Sequence, residues 1–175
     1  MTSTRIGQIA LVVSDIKRST RFYARAFGLD PVLGTRAFRG RTAGEVQGLD
    51  NPAARTFWLR DSRQPFQLEL FQYEHPCSRP LREDQDVSDI GYNRLLVAVR
   101  SMAETLQALE STGQPATPLE QSGRNGIARH AVVRDPDGIT LELVEMPERI
   151  LDGRPARLLG LGISVVDLGT SVEDM

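Results

Sequence analysis

The sequence predicts an α+β protein built from two tandem modules, each with the order strand, helix and three strands (βαβββ). Three observations support this prediction. A strand-like run that leads into a capped helix occurs twice, three further strand-like stretches follow each helix, and each series ends in a Leu-Glu-Leu triplet centred on Glu69 or Glu142. Because the whole series recurs, we expect an internal structural repeat, with modules at about residues 5–75 and 90–147.

The first module begins with the apolar run IALVV and continues into an amphipathic helix. Asp15 or Ser14 can cap this helix at its start, and Gly28 can end it. Its apolar residues recur at helical spacing and form a stripe that can pack on a sheet: Ile16, Phe22, Tyr23, Ala26 and Phe27. The strand-like stretches PVLGTRAF, RTFWLRD and FQLELFQY follow. The arginines between residues 36 and 41 are typical of a solvated loop.

The second module repeats this series. The run RLLVAV precedes Ser101, which can cap a helix that Gly113 ends. The stretches PATPLEQ, IARHAVVRD and ITLELVEM then follow. The turn DPDG before the last stretch predicts a hairpin, because proline presets one turn position and glycine admits a positive φ.

The two modules predict one domain over residues 1–148. The proline- and arginine-containing stretch MPERILDGRPAR predicts a linker over residues 149–157. The segment LLGLGISVVDLGTSVEDM then repeats the pattern of a strand that leads into a capped helix. We therefore interpret residues 158–175 as the truncated start of a third module. The alternative is a chain that ends in a strand and one helical turn.

Composition and charge limit the classes of partner. Hydrophobic residues make up 40% and charged residues 25% of the 175 residues, which is ordinary for a globular protein. A net charge of −2 gives no indication of nucleic acid or an anionic membrane as a partner. Cys77 is the single cysteine, which excludes an internal disulfide and fits a reducing compartment. The apolar run at residues 9–13 is too short for a signal peptide, so we expect a cytoplasmic protein.

The alternation of side chains along a strand gives the two glutamates a common orientation. If Leu68 and Leu70 pack under a helix, Glu69 and Phe71 point to the other face of the sheet. In the same way, Leu141 and Leu143 pack while Thr140, Glu142 and Val144 point away from the helix. One strand glutamate can simply face water. Two at equivalent places in a repeat indicate a site.

The repeat resembles the vicinal oxygen chelate superfamily, which includes glyoxalase I, extradiol dioxygenases and bleomycin-resistance proteins. The stretches that carry the resemblance are IALVVSDIKRSTRFYARAFGLDPV, FQLELFQY, DIGYNRLLVAV and VVRDPDGITLELVE. The resemblance implies a cup-shaped mixed sheet formed by the two modules, with the helices outside and a small molecule bound inside. It also implies that the cup forms within one chain or across a homodimer, or that further modules of a longer chain complete it.

Metal-dependent relatives hold a divalent ion with ligands from the first and last strands of each module. The resemblance places these positions at Gln8, Glu69, Arg94 and Glu142. The first, second and fourth residues match, but Arg94 stands where relatives have histidine. Arginine has donors only and stays charged, so it is no metal ligand. We therefore expect no tightly bound cofactor and an ion pair between Arg94 and one of the glutamates. The alternative is a divalent ion held by Gln8, Glu69 and Glu142 with water.

Other side chains can contribute to the site. His130, in a strand beside the last one, can line the cup and titrate near neutrality. The candidate ligand-binding set is therefore Gln8, Arg94, Phe71, Thr140 and His130. Phe57 and Trp58 can supply apolar walls. His75 and Cys77 follow a strand in a loop-like stretch, and Tyr73 and Tyr92 are interpreted as packing residues or hydrogen-bond donors.

Three functions remain open at this point. The first is a lyase, isomerase or dioxygenase that acts on a substrate with vicinal oxygens, with Glu69 or Glu142 as the catalytic base. The second is a metal-free binding protein like the bleomycin-resistance proteins, in which Arg94 grips a carboxylate or phenolate. The third is the non-catalytic half of a longer enzyme.

Overall fold

The computed structural model describes residues 7–60, 67–82, 84–114, 116–123 and 126–166, and the chain divides into two compact units, Met1–Pro80 and Leu81–Met175. The unit boundary falls between the two predicted modules. Among the described residues, no helix is long and apolar enough to cross a membrane.

The first unit is a four-stranded sheet with two helices. Its elements are β1 (Gln8–Val12), α1 (Ile16–Phe27), β2 (Asp30–Arg39), α2 (Arg41–Gln47), β3 (Ala53–Arg60) and β4 (Gln67–His75). The strand order is β1-β4-β3-β2, with β1 parallel to β4 and the other pairs antiparallel. The parallel pair joins the first and last strands of the module, so residues far apart in sequence lie side by side.

Helix α1 begins and ends at the predicted residues. The Asp15 carboxylate accepts hydrogen bonds from the backbone N–H groups of Lys17 (2.8 Å) and Arg18 (3.1 Å). Gly28 ends the helix in the left-handed conformation with φ 65°. The apolar stripe predicted from the sequence is buried, and α1 packs on β2, β3 and β4.

Helix α2 corrects one prediction, because the arginine-containing stretch that reads as a loop is helical from Arg41 onward. Ala43 and Gly44 of this helix are buried. A side chain at position 44 would collide with the backbone, since its Cβ would lie 2.5 Å from the Leu49 oxygen. Gly48 ends the helix at φ 64°. The helix is only seven residues long and contains Gly44, both of which are unfavourable, and burial of Ala43 and Gly44 supports it.

The second unit is a five-stranded sheet with one long and one short helix. Its elements are β5 (Gly91–Val99), α3 (Met102–Ser111), β6 (Thr117–Gly123), β7 (Gly126–Arg134), β8 (Thr140–Glu145), α4 (Glu148–Leu151) and β9 (Ala156–Ser164). The strand order is β6-β7-β8-β5-β9. As in the first unit, the first and last strands of the module, β5 and β8, pair in parallel.

Strand β9 adds a fifth strand to the module. It pairs antiparallel with β5 along most of its length, with Gly162 opposite Arg94 and Gly160 opposite Leu96. It therefore lies at the edge of the sheet. Helix α4 occupies part of the stretch predicted as a linker.

An unexpected detail supports the internal repeat. In the first unit, the Gln72 side chain accepts a hydrogen bond from the first backbone N–H of α1, at Ile16 (3.2 Å). In the second, the Glu145 carboxylate accepts one from the first N–H of α3, at Met102 (2.7 Å). Both acceptors lie three residues after the glutamate of the Leu-Glu-Leu triplet. An acceptor at this place satisfies an N–H group that the helix itself leaves without a partner.

The α+β class with two tandem βαβββ modules is thus confirmed, with α2 as an addition to the first module and β9 as an addition to the second.

Candidate functional site

The first module presents Glu69 on the face of its sheet opposite α1. Gln72, Leu70 and Leu68 point toward the helix, so the alternating residues Glu69, Phe71 and Tyr73 point the other way. Along the sheet, Glu69 lies between Ala10 of β1 and Trp58 of β3. The register predicted from the Leu-Glu-Leu triplet is therefore present in β4.

Glu69 is buried and has a single partner in the hydrogen bonds described. The residue is only 7% exposed, and its carboxylate accepts a hydrogen bond from the Gln8 side-chain amide. Burial raises the pKa of Glu69 above its usual value of 4.5, and the Gln8 hydrogen bond partly opposes this shift. Desolvation penalises the charged form more than one amide donor stabilises it. Glu69 therefore combines a buried position with an increased tendency to hold a proton.

An aromatic cluster continues the same face beyond Glu69. Phe71 packs edge-to-face on Phe38, with 5.7 Å between ring centroids, and stacks on Tyr73 at 5.9 Å. The Tyr73 hydroxyl donates a hydrogen bond to the Gln47 side chain of α2. Burial is the main cause that raises the Tyr73 pKa, the Gln47 hydrogen bond lowers it, and the Glu69 charge raises it further. Gln47 could not be foreseen, because it lies on the unpredicted helix α2. Phe38 lies in a predicted strand, and its contact with Phe71 depends on the pairing of β2 with β3 and of β3 with β4.

The second module presents Arg94 and Glu142 together on the face opposite α3. Glu145 points toward α3, so Glu142 points away from it. Arg94 is in register with Thr140, two residues before Glu142, on the neighbouring strand. The Arg94 Nε atom lies 2.9 Å from Glu142 Oε2 in an ion pair whose two side chains are about one-third exposed. The expected ion pair between Arg94 and a glutamate is present.

Arg94 approaches Glu142 through its inner nitrogen. The Nε atom is shielded from solvent and has no hydrogen bond of good geometry among the described groups. Among the groups that the structure describes, the terminal NH1 group donates one hydrogen bond, a long one of 3.5 Å to the Asn93 side chain. The 2.9 Å contact with the carboxylate is therefore made by Nε rather than by the fork formed by NH1 and NH2.

Strand β9 leaves room for this arginine. Gly162 lies opposite Arg94, and a Cβ at that position would be 2.5 Å from Arg94 Cγ and 2.7 Å from Nε. No heavy atom lies within 4 Å of a Cβ placed at Gly160 on the same strand. Gly162 thus permits the Arg94 side chain to cross β9.

His130 is a further polar side chain on this face. It is opposite Val144 in the β7–β8 register, which puts it on the same face as Glu142. Its Nδ1 atom lies 3.9 Å from Glu142 Oε1, and its side chain is 22% exposed. The two oxygens of Glu142 are therefore divided between Arg94 and His130. Thr140 is buried beside Arg94.

Among the remaining candidates, Trp58 shares a face with Glu69. Trp58 is half-buried beside Glu69, whereas Phe57 has the opposite parity and lies on the α1 face. Tyr92 is 71% exposed. His75 ends β4, and Cys77 is exposed in the loop after it.

The donor set does not fit a divalent ion bound at Glu142. A dication about 4 Å from the Arg94 guanidinium would be repelled by roughly 8 kcal/mol at an effective dielectric constant of about 20. In the first module, the Gln8 amide donates to Glu69 rather than presenting its oxygen beside the carboxylate. Within the described ranges, no three His, Cys, Asp or Glu side chains form a group that could hold a metal ion.

Comparison with known proteins identifies the class. The sequence pattern of the Glyoxalase/Bleomycin resistance protein/Dioxygenase superfamily matches residues 5–143. The chain therefore belongs to this superfamily, as the resemblance implied. No curated protein matches it significantly.

Solved structures support the fold. A glyoxalase family protein from Bacillus cereus is 20% identical with a TM-score of 0.67, covering 84% of this chain and 99% of that one. A glyoxalase family protein from Enterococcus faecalis is 19% identical with a TM-score of 0.59, covering 83% and 100%. A variant of glyoxalase I from Zea mays is 19% identical with a TM-score of 0.55, covering 82% of this chain and 45% of that one. At these identities the similarity shows the fold alone.

Proposed function

We propose that this chain is a small-molecule-binding member of the superfamily that holds an anionic ligand through Arg94, with no metal required at Glu142. The observation that carries the proposal is the geometry of the Arg94–Glu142 ion pair. Nε makes the 2.9 Å contact with the carboxylate. We infer that the terminal guanidinium fork is left for a ligand. A planar fork of this kind matches the two oxygens of a carboxylate.

The surroundings of Arg94 support the same ligand class. Thr140 lies beside it with a hydroxyl group, and Gly162 contributes no side chain that would cover it. Glu142 compensates the guanidinium charge when no ligand is bound, which reduces the cost of holding a partly buried cation. An incoming carboxylate then meets preformed donors.

Isothermal titration calorimetry tests the proposal with propionate, benzoate and salicylate as probes. We expect Arg94→Met to weaken binding roughly 10- to 100-fold, because a hydrogen bond to a charged group is worth about 1.5 to 3 kcal/mol. Arg129→Met is the matched control. Arg129 also forms an ion pair at 2.9 Å, but with Glu145, which lies on the α3 face of the same sheet.

Equal weakening by both substitutions would reject Arg94 as the ligand-binding residue. Elemental analysis of the purified protein is a second test, which measures whether a metal is bound. Stoichiometric divalent metal that Glu142→Gln releases would contradict a metal-independent site.

A proton-transferring enzyme is the second candidate, favoured by the raised pKa of Glu69. A buried carboxylate with a raised pKa is suited to accept and return a proton. Exchange of solvent deuterium into a bound carbonyl compound, abolished by Glu69→Gln, would support it. Unchanged exchange in that variant would exclude Glu69 as the base.

A further inference from the structure

We propose that Asn93 is a positioning residue for anion binding: its side-chain oxygen orients the NH1 group of Arg94, and strand β9 in turn fixes Asn93. This inference rests on the proposed function, because it concerns the same guanidinium group. It adds Asn93 and Ser164 to the residues on which the site depends. It also makes β9, the strand added to the second module, a part of the binding site.

Three hydrogen bonds join β5, β9 and the segment before β5 around the Asn93 side chain. Asn93 Nδ2 donates to the Val87 backbone oxygen (2.8 Å) and to Ser164 Oγ (2.6 Å). Ser164 Oγ donates its own hydrogen to the same Val87 oxygen (2.7 Å). The serine hydroxyl therefore acts as an acceptor toward Asn93, and both hydrogens of the Asn93 amide have acceptors.

These contacts decide which way the Asn93 amide points. If the amide were turned over, Oδ1 would face the Val87 oxygen, and two acceptors would repel each other. The observed orientation leaves Oδ1 for another donor, and it accepts the 3.5 Å hydrogen bond from Arg94 NH1. Because this bond is long, Asn93 orients the guanidinium, whereas Glu142 compensates its charge at Nε. NH1 carries two hydrogens, so one remains for a ligand.

An irregularity in β5 makes this contact between consecutive residues possible. In a regular strand, neighbouring side chains point to opposite faces of the sheet. Between Tyr92 and Arg94, β5 advances by two residues while β9 advances by only one, so Asn93 is an extra residue on β5. A bulge of this kind changes the direction of a side chain. It allows the side chains of Asn93 and Arg94 to meet.

Nitrogen-15 NMR of the ligand-free protein tests the contact between Asn93 and Arg94. The quantity measured is the rate at which the Arg94 guanidinium rotates about its Nε–Cζ bond, and the Arg94 signal is the one that Arg94→Met removes. Asn93→Ala removes the acceptor at NH1, so the rotation should become roughly 2- to 10-fold faster. Ser164→Ala removes one of the two anchors of Asn93 and should give a smaller increase.

Calorimetry with benzoate and propionate tests the consequence for binding. Asn93→Ala should weaken both probes roughly 2- to 10-fold, because binding must then order a guanidinium that is no longer held in place. Ser101→Ala is the control for a general loss of stability. It removes the cap at the start of α3 in the same unit, and it should leave the rotation rate and the affinity unchanged.

The two measurements separate this inference from the proposed function. Rotation in Asn93→Ala as slow as in the parent would overturn the positioning role, even with a fall in affinity, since a purely structural defect lowers affinity alone. Faster rotation with unchanged affinity, or equal effects of Ser101→Ala, would also overturn it. Binding that is insensitive to Arg94→Met would overturn the proposed function and the role of Asn93 in binding, whatever the rotation rate. Far-ultraviolet circular dichroism confirms that each variant is folded.

Discussion

At the scale of single residues, the two modules place glutamates at equivalent positions but in different surroundings. Glu69 is nearly inaccessible and is bonded to a neutral amide, whereas Glu142 is about one-third exposed and pairs with a guanidinium. The difference originates at the first strand of each module, where Gln8 and Arg94 occupy corresponding positions. Gln8 leaves Glu69 with a neutral partner, and this carboxylate tends to hold a proton. Arg94, at the corresponding position, compensates the charge of Glu142.

Glu69→Gln should become relatively more stable as the pH rises. Because the folded-state pKa of Glu69 is raised, its stabilising contribution is complete below the unfolded value of 4.5 and is lost as pH rises through the folded value. The variant keeps an acceptor for Gln8 and has no charge to bury. Denaturant unfolding of both proteins between about pH 4 and pH 7 measures the difference.

Asp15→Asn is a control in which the stability difference from the parent should change with pH in the opposite direction. The backbone N–H group of Arg18 is the largest cause that lowers the pKa of Asp15, so its contribution is present above the unfolded value and is lost on acidification. This variant should lose stability relative to the parent as pH rises toward the unfolded value of 3.8, so the control is measured below about pH 4. A Glu69→Gln difference that does not change with pH would mean that the carboxylate is not desolvated.

Arg94→His should create affinity for zinc, nickel or cobalt. The substitution removes the charge that opposes a dication and adds an imidazole ligand beside Glu142, which transition metals prefer. Calorimetry and elemental analysis of parent and variant measure the gain. Arg94→Met removes the charge without adding a ligand, so equal metal binding by the Met and His variants would show that the imidazole contributes nothing.

At the scale of elements, β9 shapes the site through one glycine. Gly162→Ala forces the Arg94 side chain to move, because the new methyl group would lie 2.5 Å from Cγ. Introducing a group into such a contact costs roughly 1 to 3 kcal/mol. We expect reduced stability and weaker anion binding, with Arg94 displaced from Glu142.

Gly160→Ala is the matched control on the same strand. Its Cβ meets no neighbouring atom within 4 Å, so the substitution should be neutral or stabilising by up to about 1 kcal/mol. Thermal denaturation and the calorimetric titration compare the two variants. Similar behaviour of both would show that Arg94 does not depend on the space at residue 162.

At the scale of the whole molecule, β9 presents an edge on which apolar side chains are exposed. Leu159 is 41% and Ile163 is 53% exposed, and β9 is the terminal strand of its sheet. A free edge with apolar residues favours pairing with another chain. We expect concentration-dependent self-association by analytical ultracentrifugation, which Ile163→Lys should weaken.

Val46→Lys provides the control for a change of surface charge. Val46 is 75% exposed on α2, in the other unit of the chain. The control should leave self-association unchanged. A strictly monomeric parent at high concentration, or equal effects of both lysines, would contradict a role for the β9 edge.

The local features of the fold could be predicted from the sequence. The start and end of α1 follow from Asp15 and Gly28, because capping and positive φ depend on one residue and its immediate neighbours. The orientation of Glu69 and Glu142 away from the helices follows from the period of two along a strand. The substitution of Arg94 for histidine, and with it the ion pair to a glutamate, could also be foreseen.

The remaining features depend on contacts between residues distant in sequence. Helix α2 is short and contains Gly44, and it is supported by the burial of Ala43 and Gly44, which the local sequence does not reveal. The space at Gly162 and the approach of His130 to Glu142 exist only because the strands pair in a particular order and register. The sequence by itself determined the modules, the helix ends and the faces of the strands, since these obey local rules. Only the tertiary structure decided which side chain each glutamate meets and how deeply each is buried, since those are set by pairing across the sheet.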